Sequence, residues 1–322
     1  MSSQSSPSID SSASSGPGFG SGRSTLIIFN PTAGNRRARR LRATLDRLAA
    51  LGVPARVSDT TAVGDALAFA RDSDGAAIVA VAGGDGTINE AANGLFARQG
   101  MAAPVPALAI IPLGTANVLA AEIGLTAMTP DAAAAAIAEG EIRPAWLGVA
   151  NGRIFCQMAG VGFDAHVVAG IDVALKRRIG KLAYVVETIR QIIRYRPRLY
   201  TVVIDGEPHV AASVVVANGH FYAGRYTCAP EASIDAPDLK VCLFRRAGRW
   251  HVLRYAAGLL TGRLQHFADV AVHDARHIRI TALDGDGSPE PVQGDGDVIT
   301  HLPVEISLAP ERLDIVRPVR AR

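Results

Sequence analysis

The sequence predicts an α/β protein in two parts, a parallel-sheet unit followed by a mostly antiparallel β unit. Three observations carry this reading. Apolar, strand-like runs alternate with helix-periodic segments as far as about residue 145. Beyond that point short β-rich segments separated by turn signals take over. Within the first part, the third apolar run breaks into Gly83-Gly84-Asp85-Gly86-Thr87, a turn of almost bare backbone that opens a helix.

Taken in order, residues 26–29 form a short buried strand that ends at Asn30-Pro31-Thr32-Ala33-Gly34. A helix follows with Leu41, Leu45 and Leu48 on one face. Residues 53–58 read as a second strand, 65–71 as a second helix and 76–82 as the third strand. After the glycine turn, the apolar period predicts a helix from near Ile88 towards Ala97, with Thr87 and Glu90 spaced as a capping box. Residues 107–111 give a fourth strand, ending at Pro112-Leu113-Gly114-Thr115-Ala116-Asn117 ahead of another helix. The alternation places these polar, glycine-bearing loops at the carboxyl ends of parallel strands, where open α/β sheets bind ligands.

The second part has strand signals at 154–158, 199–204, 210–217, 239–244, 277–282 and 304–308, with Asp205-Gly206 and Asp284-Gly285 as turns between some of them. One long helix, 179–195, interrupts the series. The boundary falls near Trp146, giving a tail over 1–23, a first unit over 24–146 and a second over 147–308.

At 322 residues, 48% apolar and 20% charged, the chain has material for about two globular cores. A net charge of +3 implies no nucleic-acid partner. Cys156, Cys228 and Cys242 are too far apart in sequence for a disulfide framework or a metal cluster, which fits a reducing cytoplasm. The first twenty-two residues are mostly Ser, Gly and Pro; they predict a disordered tail and lack the features of a signal peptide. No run reaches the roughly 18–20 apolar residues of a membrane span, so any membrane contact is expected to be peripheral.

The glycine turn carries the chemistry. Amide N–H groups of Gly83, Gly84 and Gly86 can press against an anion at a helix N-terminus, and phosphate is the natural guest. Neither a GxxxxGK[ST] loop nor a Rossmann fingerprint is present, since Asn89 stands where the third glycine of the latter would fall. An acid beside phosphates is useful if it holds magnesium, directly or through water; the alternative for Asp85 is an Asx-type bond within its own loop.

Four stretches, Asn30-Pro31-Thr32-Ala33-Gly34, Gly83 through Glu90, Gly114-Thr115-Ala116-Asn117 and Gln293-Gly294-Asp295-Gly296-Asp297, together resemble the diacylglycerol kinase catalytic-domain family, which includes bacterial lipid kinases, sphingosine kinases and ceramide kinases. Smaller echoes are Gly160-Val161-Gly162-Phe163-Asp164, Gly180-Lys181-Leu182-Ala183-Tyr184 and Ala217-Asn218-Gly219. The resemblance implies an ATP-binding first unit, a β-sandwich-like lipid-substrate unit and an active site between them, with residues 309–322 returning to the first unit. It further implies transfer of the ATP γ-phosphoryl group, with Mg2+, to a lipid hydroxyl. Asn30, Pro31, Gly34, Gly83, Gly84, Asp85, Gly86, Thr87, Asn89, Glu90, Gly114, Thr115 and Asn117 match nucleotide-side positions, as does either Thr60 or Thr61. Asp164 and Asn218 fall on the substrate side. Asp295 and Asp297 match the family's Asp-Gly-Glu motif, and one of them is the expected general base, Asp295 being the central residue. The bare alternative is a hairpin turn, for which Asp-Gly is a common signal.

Two departures stand out. Val118 occupies a position where many members carry an acid, and Ala236 stands where the aspartate of a metal-binding stretch belongs. That leaves Asp235 or Asp238 to compensate as metal ligand. Two basic clusters, Arg36 to Arg42 and Lys176 to Arg198 around the long helix, could face an anionic lipid surface or simply be solvated. The rival readings are an NAD kinase-like enzyme, which shares a Gly-Gly-Asp-Gly loop, and a non-catalytic lipid-binding protein of the same fold. Oligomeric state and the particular lipid are not legible.

Overall fold

Runs that are apolar at every position, rather than at every second one, form strands covered on both faces, and three such runs make the centre of the first sheet. The computed structural model describes residues 23–31, 35–125, 127, 129–171, 181–195, 197–222, 224, 226–283 and 289–319. The chain begins β1 (Thr25–Phe29), α1 (Asn35–Ala50), β2 (Ala55–Asp59), α2 (Asp65–Arg71), β3 (Ile78–Gly83), α3 (Asp85–Arg98), β4 (Ala107–Pro112), α4 (Val118–Glu122), α5 (Pro130–Glu139) and β5 (Glu141–Ala145). Strands β1 to β4 are parallel, in the order β2-β1-β3-β4, and every residue of β1, β3 and β4 is buried.

The second unit runs β6 (Gly148–Ala150), β7 (Arg153–Phe155), β8 (Met158–Val161), α6 (Phe163–Ala169), α7 (Lys181–Arg194), β9 (Tyr200–Ile204), β10 (Glu207–Ala211), β11 (Ser213–Ala217) and β12 (Leu239–Phe244). It continues with α8 (Arg249–Leu260), β13 (Val270–Ala275), β14 (His277–Ala282), β15 (Pro291–Gly294), β16 (Asp297–His301) and β17 (Val304–Leu308). The strands form two antiparallel sheets, β10-β9-β14-β17-β6-β7 and β13-β12-β11-β8-β15-β16. Tyr200, Val202, Ile278, Ile280 and Val304 of one sheet share a common core with Val214, Val216, Leu239, Val241 and Leu243 of the other, as in a β-sandwich. The last strand, β18 (Leu313–Arg317), lies in the first sheet, parallel to β4 and antiparallel to β5.

Several sequence expectations change in detail. Helix α3 begins at Asp85 rather than near Ile88, with Gly84 as its N-cap and no side-chain cap. The Thr87–Glu90 capping box does not form; Glu90 Oε2 instead accepts the Gly64 N–H at the start of α2, 3.1 Å away. The 154–158 segment is two strands in different sheets, and so is 210–217, broken at Ala212. The Asp205-Gly206 turn joins β9 to β10 with both residues at positive φ, 47° and 96°, the two-residue turn that suits strand twist. Asp284-Gly285, Gly34, Gly180 and Lys176 to Arg178 lie outside the described residues.

Helix α3 is held against α2 by a close backbone approach. Gly94 faces the Leu67 carbonyl and the Ala70 methyl, so that a Cβ at 94 would run into both. In an ordinary helix interior, alanine is favoured over glycine by about 1 kcal/mol. Here the sign should reverse: Gly94→Ala should lower stability by about 1–3 kcal/mol through overpacking. A melting temperature at or above that of the parent protein would show that the close approach does not limit this interface.

Candidate active site

Strands β3 and β4 are neighbours, so the loops at their carboxyl ends meet. Leu113 N–H donates to the Gly83 carbonyl at 3.1 Å, and a Cβ on Gly114 would lie 2.5 Å from Gly84 Cα. Only glycine permits this contact of two backbones. Thr87 packs beneath Gly83 and accepts a hydrogen bond from Asn30 Nδ2 at 3.0 Å, which joins the end of β1 to the same turn. The first-turn amides of α3 therefore open beside the ends of β1, β3 and β4, the arrangement that favours a bound anion. Pro31 and Thr115 are exposed at the rim. Thr60 N–H bonds the Phe29 carbonyl at 2.8 Å, whereas the Thr61 N–H and hydroxyl both go to Asp65 Oδ2, at 2.7 and 2.9 Å, as a cap on α2.

Asp85 does not bond within its own loop alone. Its Oδ2 accepts Asn117 N–H at 2.9 Å and its Oδ1 accepts Val118 N–H at 2.7 Å. The carboxylate thus caps α4, and Asn117 takes a left-handed conformation (φ 51°) to present those amides. Burial pushes the Asp85 carboxyl above the usual carboxylate range, the two N–H groups oppose the rise, and the charge of Asp295 adds to it.

Asp295 comes from the second unit. It and Gly296 form the two-residue turn between β15 and β16, at φ 53° and 88°. The hairpin turn that Asp-Gly signals therefore forms, and it carries Asp295 to the junction of the two units. Oδ2 of Asp295 accepts Cys156 N–H at 2.6 Å and Asn89 Nδ2 at 2.8 Å; Oδ1 accepts Gln157 N–H at 2.8 Å and Met158 N–H at 3.1 Å. The break between β7 and β8 makes this possible, because residues 156 and 157 leave their strands and turn successive amides inward. Burial raises the Asp295 pKa from the ordinary value, against the pull of these four donors.

Asp297, two residues on, is exposed, and its Oδ2 reaches to 2.7 Å from where a Cβ on Gly86 would sit. It lies directly over the first turn of α3. Burial raises the Glu90 pKa, and the Asp297 charge contributes to the rise. Asn89, expected on the nucleotide side, instead spans the two units: its Nδ2 also donates to the Ile154 carbonyl at 2.9 Å. Asn93, which no sequence motif singles out, completes the clamp by accepting Ile154 N–H and donating to the same carbonyl. The spacing does hold a signal for it, since Asn89 and Asn93 are four apart on one helix face.

On the substrate side, Asp164 at the start of α6 accepts Gln293 Nε2 at 2.7 Å, and Gln293 Oε1 accepts Gly296 N–H at 3.0 Å. Burial raises the Asp164 pKa, with Tyr222 and Gln293 hydrogen-bonding against the rise. Asn218 is fully buried and donates to the Trp146 and Cys156 carbonyls at 2.9 and 2.7 Å. Glu122, also outside the sequence motifs, ties α4 to the same loop by accepting His220 and Phe221 N–H.

At Asp235, which the sequence offers as a metal ligand, both oxygens accept from the Arg317 guanidinium. Asp238 pairs with Lys240 at 2.9 Å. Among the described residues, no three or more His, Cys, Asp or Glu side chains converge. Mg2+ does not need such a cage, since it keeps several waters and binds through one or two carboxylates plus substrate phosphates. Asp85, in the middle of the Gly84–Gly86 turn with both oxygens on backbone N–H groups, fits that requirement through water.

Comparisons with known proteins give the family and the fold. Residues 24–150 match the family described as diacylglycerol kinase catalytic domain, and residues 157–317 match the YegS C-terminal NAD kinase beta sandwich-like domain. A diacylglycerol kinase of Mycobacterium tuberculosis (strain H37Rv) is 30% identical over 265 residues, covering 79% of this chain and 80% of that protein. One from Bacillus subtilis (strain 168) is 29% identical over 251 residues, covering 76% and 80%. The fold matches the crystal structure of a diacylglycerol kinase from Bacillus anthracis strain Sterne with a TM-score of 0.72 at 24% identity, over 92% of this chain and 97% of that one. The chain belongs to the diacylglycerol kinase catalytic-domain family of phosphotransferases.

Proposed function

We propose that the protein transfers the γ-phosphoryl group of ATP to a hydroxyl of diacylglycerol or a similar lipid, with Asp297 as the base. The observation that carries this reading is the division of labour between the two acids of the β15–β16 turn. Asp295 has its oxygens committed to four N–H donors, whereas Asp297 overhangs the anion-binding turn. The sequence favours Asp295 as the central residue; its environment suits a positioning role better.

In this mechanism the lipid hydroxyl lies between Asp297 and the γ-phosphorus. Asp297 takes the hydroxyl proton as the oxygen attacks in line, a new O–P bond forms, and the bond from the γ-phosphorus to the bridging oxygen of the leaving ADP breaks. The α3 amides and the paired glycine loops hold the phosphates, so most of the catalysis is positioning and charge stabilisation. Asp85 would hold Mg2+ through water, which neutralises charge on the phosphates when bound and leaves Asp297 to act as the base. Asp85 also keeps the Gly114–Asn117 loop in register with the Gly83–Gly86 turn. Diacylglycerol is named because relatives carry that name. A lipid acceptor makes the working location the cytoplasmic face of a membrane, with peripheral contact; among the described residues no helix is long and apolar enough to cross one.

Transfer of label from ATP to micelles carrying diacylglycerol, a sphingoid base or another lipid alcohol, with NAD as a parallel acceptor and with or without chelator, tests the whole reading. Label on lipid that vanishes with chelator is expected. Label on NAD alone would reassign the acceptor, and no transfer to any acceptor with ATP binding intact would favour the non-catalytic alternative.

Two substitutions separate the acids. Asp297→Asn should lower kcat by roughly 10²–10⁴-fold, the usual worth of a general base, with an unchanged melting temperature. Asp295→Asn should lower both kcat and the melting temperature, because an amide cannot accept four N–H groups. Near-parental turnover in Asp297→Asn would remove it as the base.

Asp164 gives a pH test with a definite sign. Its folded-state pKa is raised, so the folded protein binds more protons than the unfolded chain between the ordinary carboxylate value and the raised one. Stability from this group is full below that window and is lost as pH rises through it. Asp164→Asn removes the titration, so its cost in melting temperature should be greatest at acid pH and shrink towards neutrality. A cost that is independent of pH would contradict the raised pKa.

A further inference from the structure

Helix α8 has two apolar faces, and the fold uses only one. Tyr255 and Gly258 point inward, where they pack with Phe244, Leu264 and Phe267. Facing out are Trp250, Leu253 and Leu260, spaced three and seven apart on one side of the helix, and Trp250 is 82% exposed. Helix α7 repeats the pattern with Val186, Ile189 and Ile193, the last two 55% and 61% exposed. The stripes adjoin, because Arg249, next to Trp250, donates from Nη2 to the Ile193 carbonyl at 3.0 Å. Single exposed apolar residues are ordinary, but six at helical spacing on two touching helices form a patch that marks an interaction site.

The surroundings identify the partner. Arg194, Arg245, Arg246 and Arg249 are exposed around the patch, while two nearby acids are already occupied, Glu187 by Arg190 and Asp269 by Arg254. An apolar centre with a tryptophan, rimmed by positive charge, matches the apolar interior and anionic headgroups of a phospholipid surface. The patch is also coupled to the site. Tyr195, just past α7, packs edge-on against Phe163 with ring centroids 5.6 Å apart, and Phe163 precedes Asp164, which fixes Gln293 and the Asp295 turn.

We propose that the α7–α8 face inserts Trp250, Leu253, Ile189 and Ile193 into the headgroup region of an anionic bilayer, and so brings the active-site cleft to lipid held in that bilayer. The cleft's use of lipid rests on the kinase reading above; the docking surface does not. The sequence suggests a basic amphipathic helix over 179–195 as the lipid-facing element; the exposed stripe of α8 extends that surface and assigns it an apolar anchor.

The test uses the full chain carrying Trp146→Phe, so that Trp250 is the sole tryptophan, and vesicles of phosphatidylcholine with or without phosphatidylglycerol. Sedimentation with the anionic vesicles and a shift of Trp250 emission to shorter wavelength are expected, with binding that persists in part at high salt. In the parent background, Trp250→Ala combined with Leu253→Ala should weaken vesicle binding by about tenfold or more. It should also slow phosphorylation of vesicle-borne diacylglycerol while leaving turnover of a short-chain, dispersed diacylglycerol unchanged. Unaltered vesicle binding by the double variant would overturn the proposal. So would a variant that changes only a dimer to a monomer in sedimentation velocity, which would make the face an interface between copies. If the parent phosphorylates neither lipid form but the variant still loses vesicle binding, the kinase reading fails and the docking surface stands.

Discussion

The Asp295 carboxylate is the knot on which the rest of the site depends. It belongs to a turn of the β-sandwich, yet its donors come from both units: three backbone amides from the break between β7 and β8, and the Asn89 amide from α3. A buried carboxylate without partners would be strongly disfavoured, and one with four N–H donors can remain charged inside the protein. Three of these bonds fix the carboxylate within the sandwich, and the Asn89 bond then ties it to α3 of the first unit. Asn89 and Asn93 then grip the Ile154 backbone from both sides, so the register between α3 and the sandwich is set by hydrogen bonds of fixed length. Apolar contact alone would allow sliding. Ile154, Cys156 and Ile234 also enter the apolar core beneath α3, so packing and polar clamp act at one place.

This constraint explains how acids can surround an anion-binding turn. Asp85 and Asp295 are both pushed up by burial, and the charge of Asp295 raises Asp85 further. Each is anchored by backbone amides that supply compensating positive dipoles. Each carboxylate holds a loop: Asp85 caps α4, and Asp295 closes the domain junction. Asp297 has its carboxylate at an exposed position over Gly86. Its side chain is one methylene shorter than the glutamate that the family pattern leads one to expect, and the hairpin brings its Oδ2 to 2.7 Å from where a Cβ on Gly86 would sit, so a side chain at 86 would displace the carboxylate.

The main lines of the fold were legible because the first sheet is built from uninterrupted apolar runs, which have few competing interpretations. Helix α2 and strands β12, β14 and β17 coincide with the expected segments. What could not be read was local geometry decided by distant partners. The start of α3 at Asp85 precedes its apolar period because Gly84, not Thr87, makes the cap. The 154–158 run reads as one strand because its pattern is largely apolar. The break at residues 156 and 157 exists to serve Asp295, some 140 residues away, and no local signal records that. The motif residues of both units meet at one junction, but their separate roles are not written in the motifs. Sequence spacing says which residues share a loop and not which N–H groups a carboxylate will meet.

The Ala236 stretch shows how one missing carboxylate changes the means of holding a loop. With alanine at that position, the acids on either side take cations from the protein itself. Asp235 binds Arg317 of β18, and Asp238 shares Lys240 with Asp274. The Lys240 side chain is only 9% exposed, so its charge is tolerable only because two carboxylates face it. The Arg317 pair is more exposed on the acid side, 54%, and so contributes little net energy by itself. Its value is topological: it fastens a loop of the sandwich to the last strand of the first sheet. Trp146 N–H also donates to the neighbouring Ile234 carbonyl at 2.7 Å, so two adjacent residues of this loop are tied across the junction. The two units are thus joined by covalent crossing, by the Asn89–Asp295 knot and by this ion pair. An arrangement tied at separate points resists twisting as well as opening, which is what a reaction that depends on in-line placement of two oxygens around phosphorus demands.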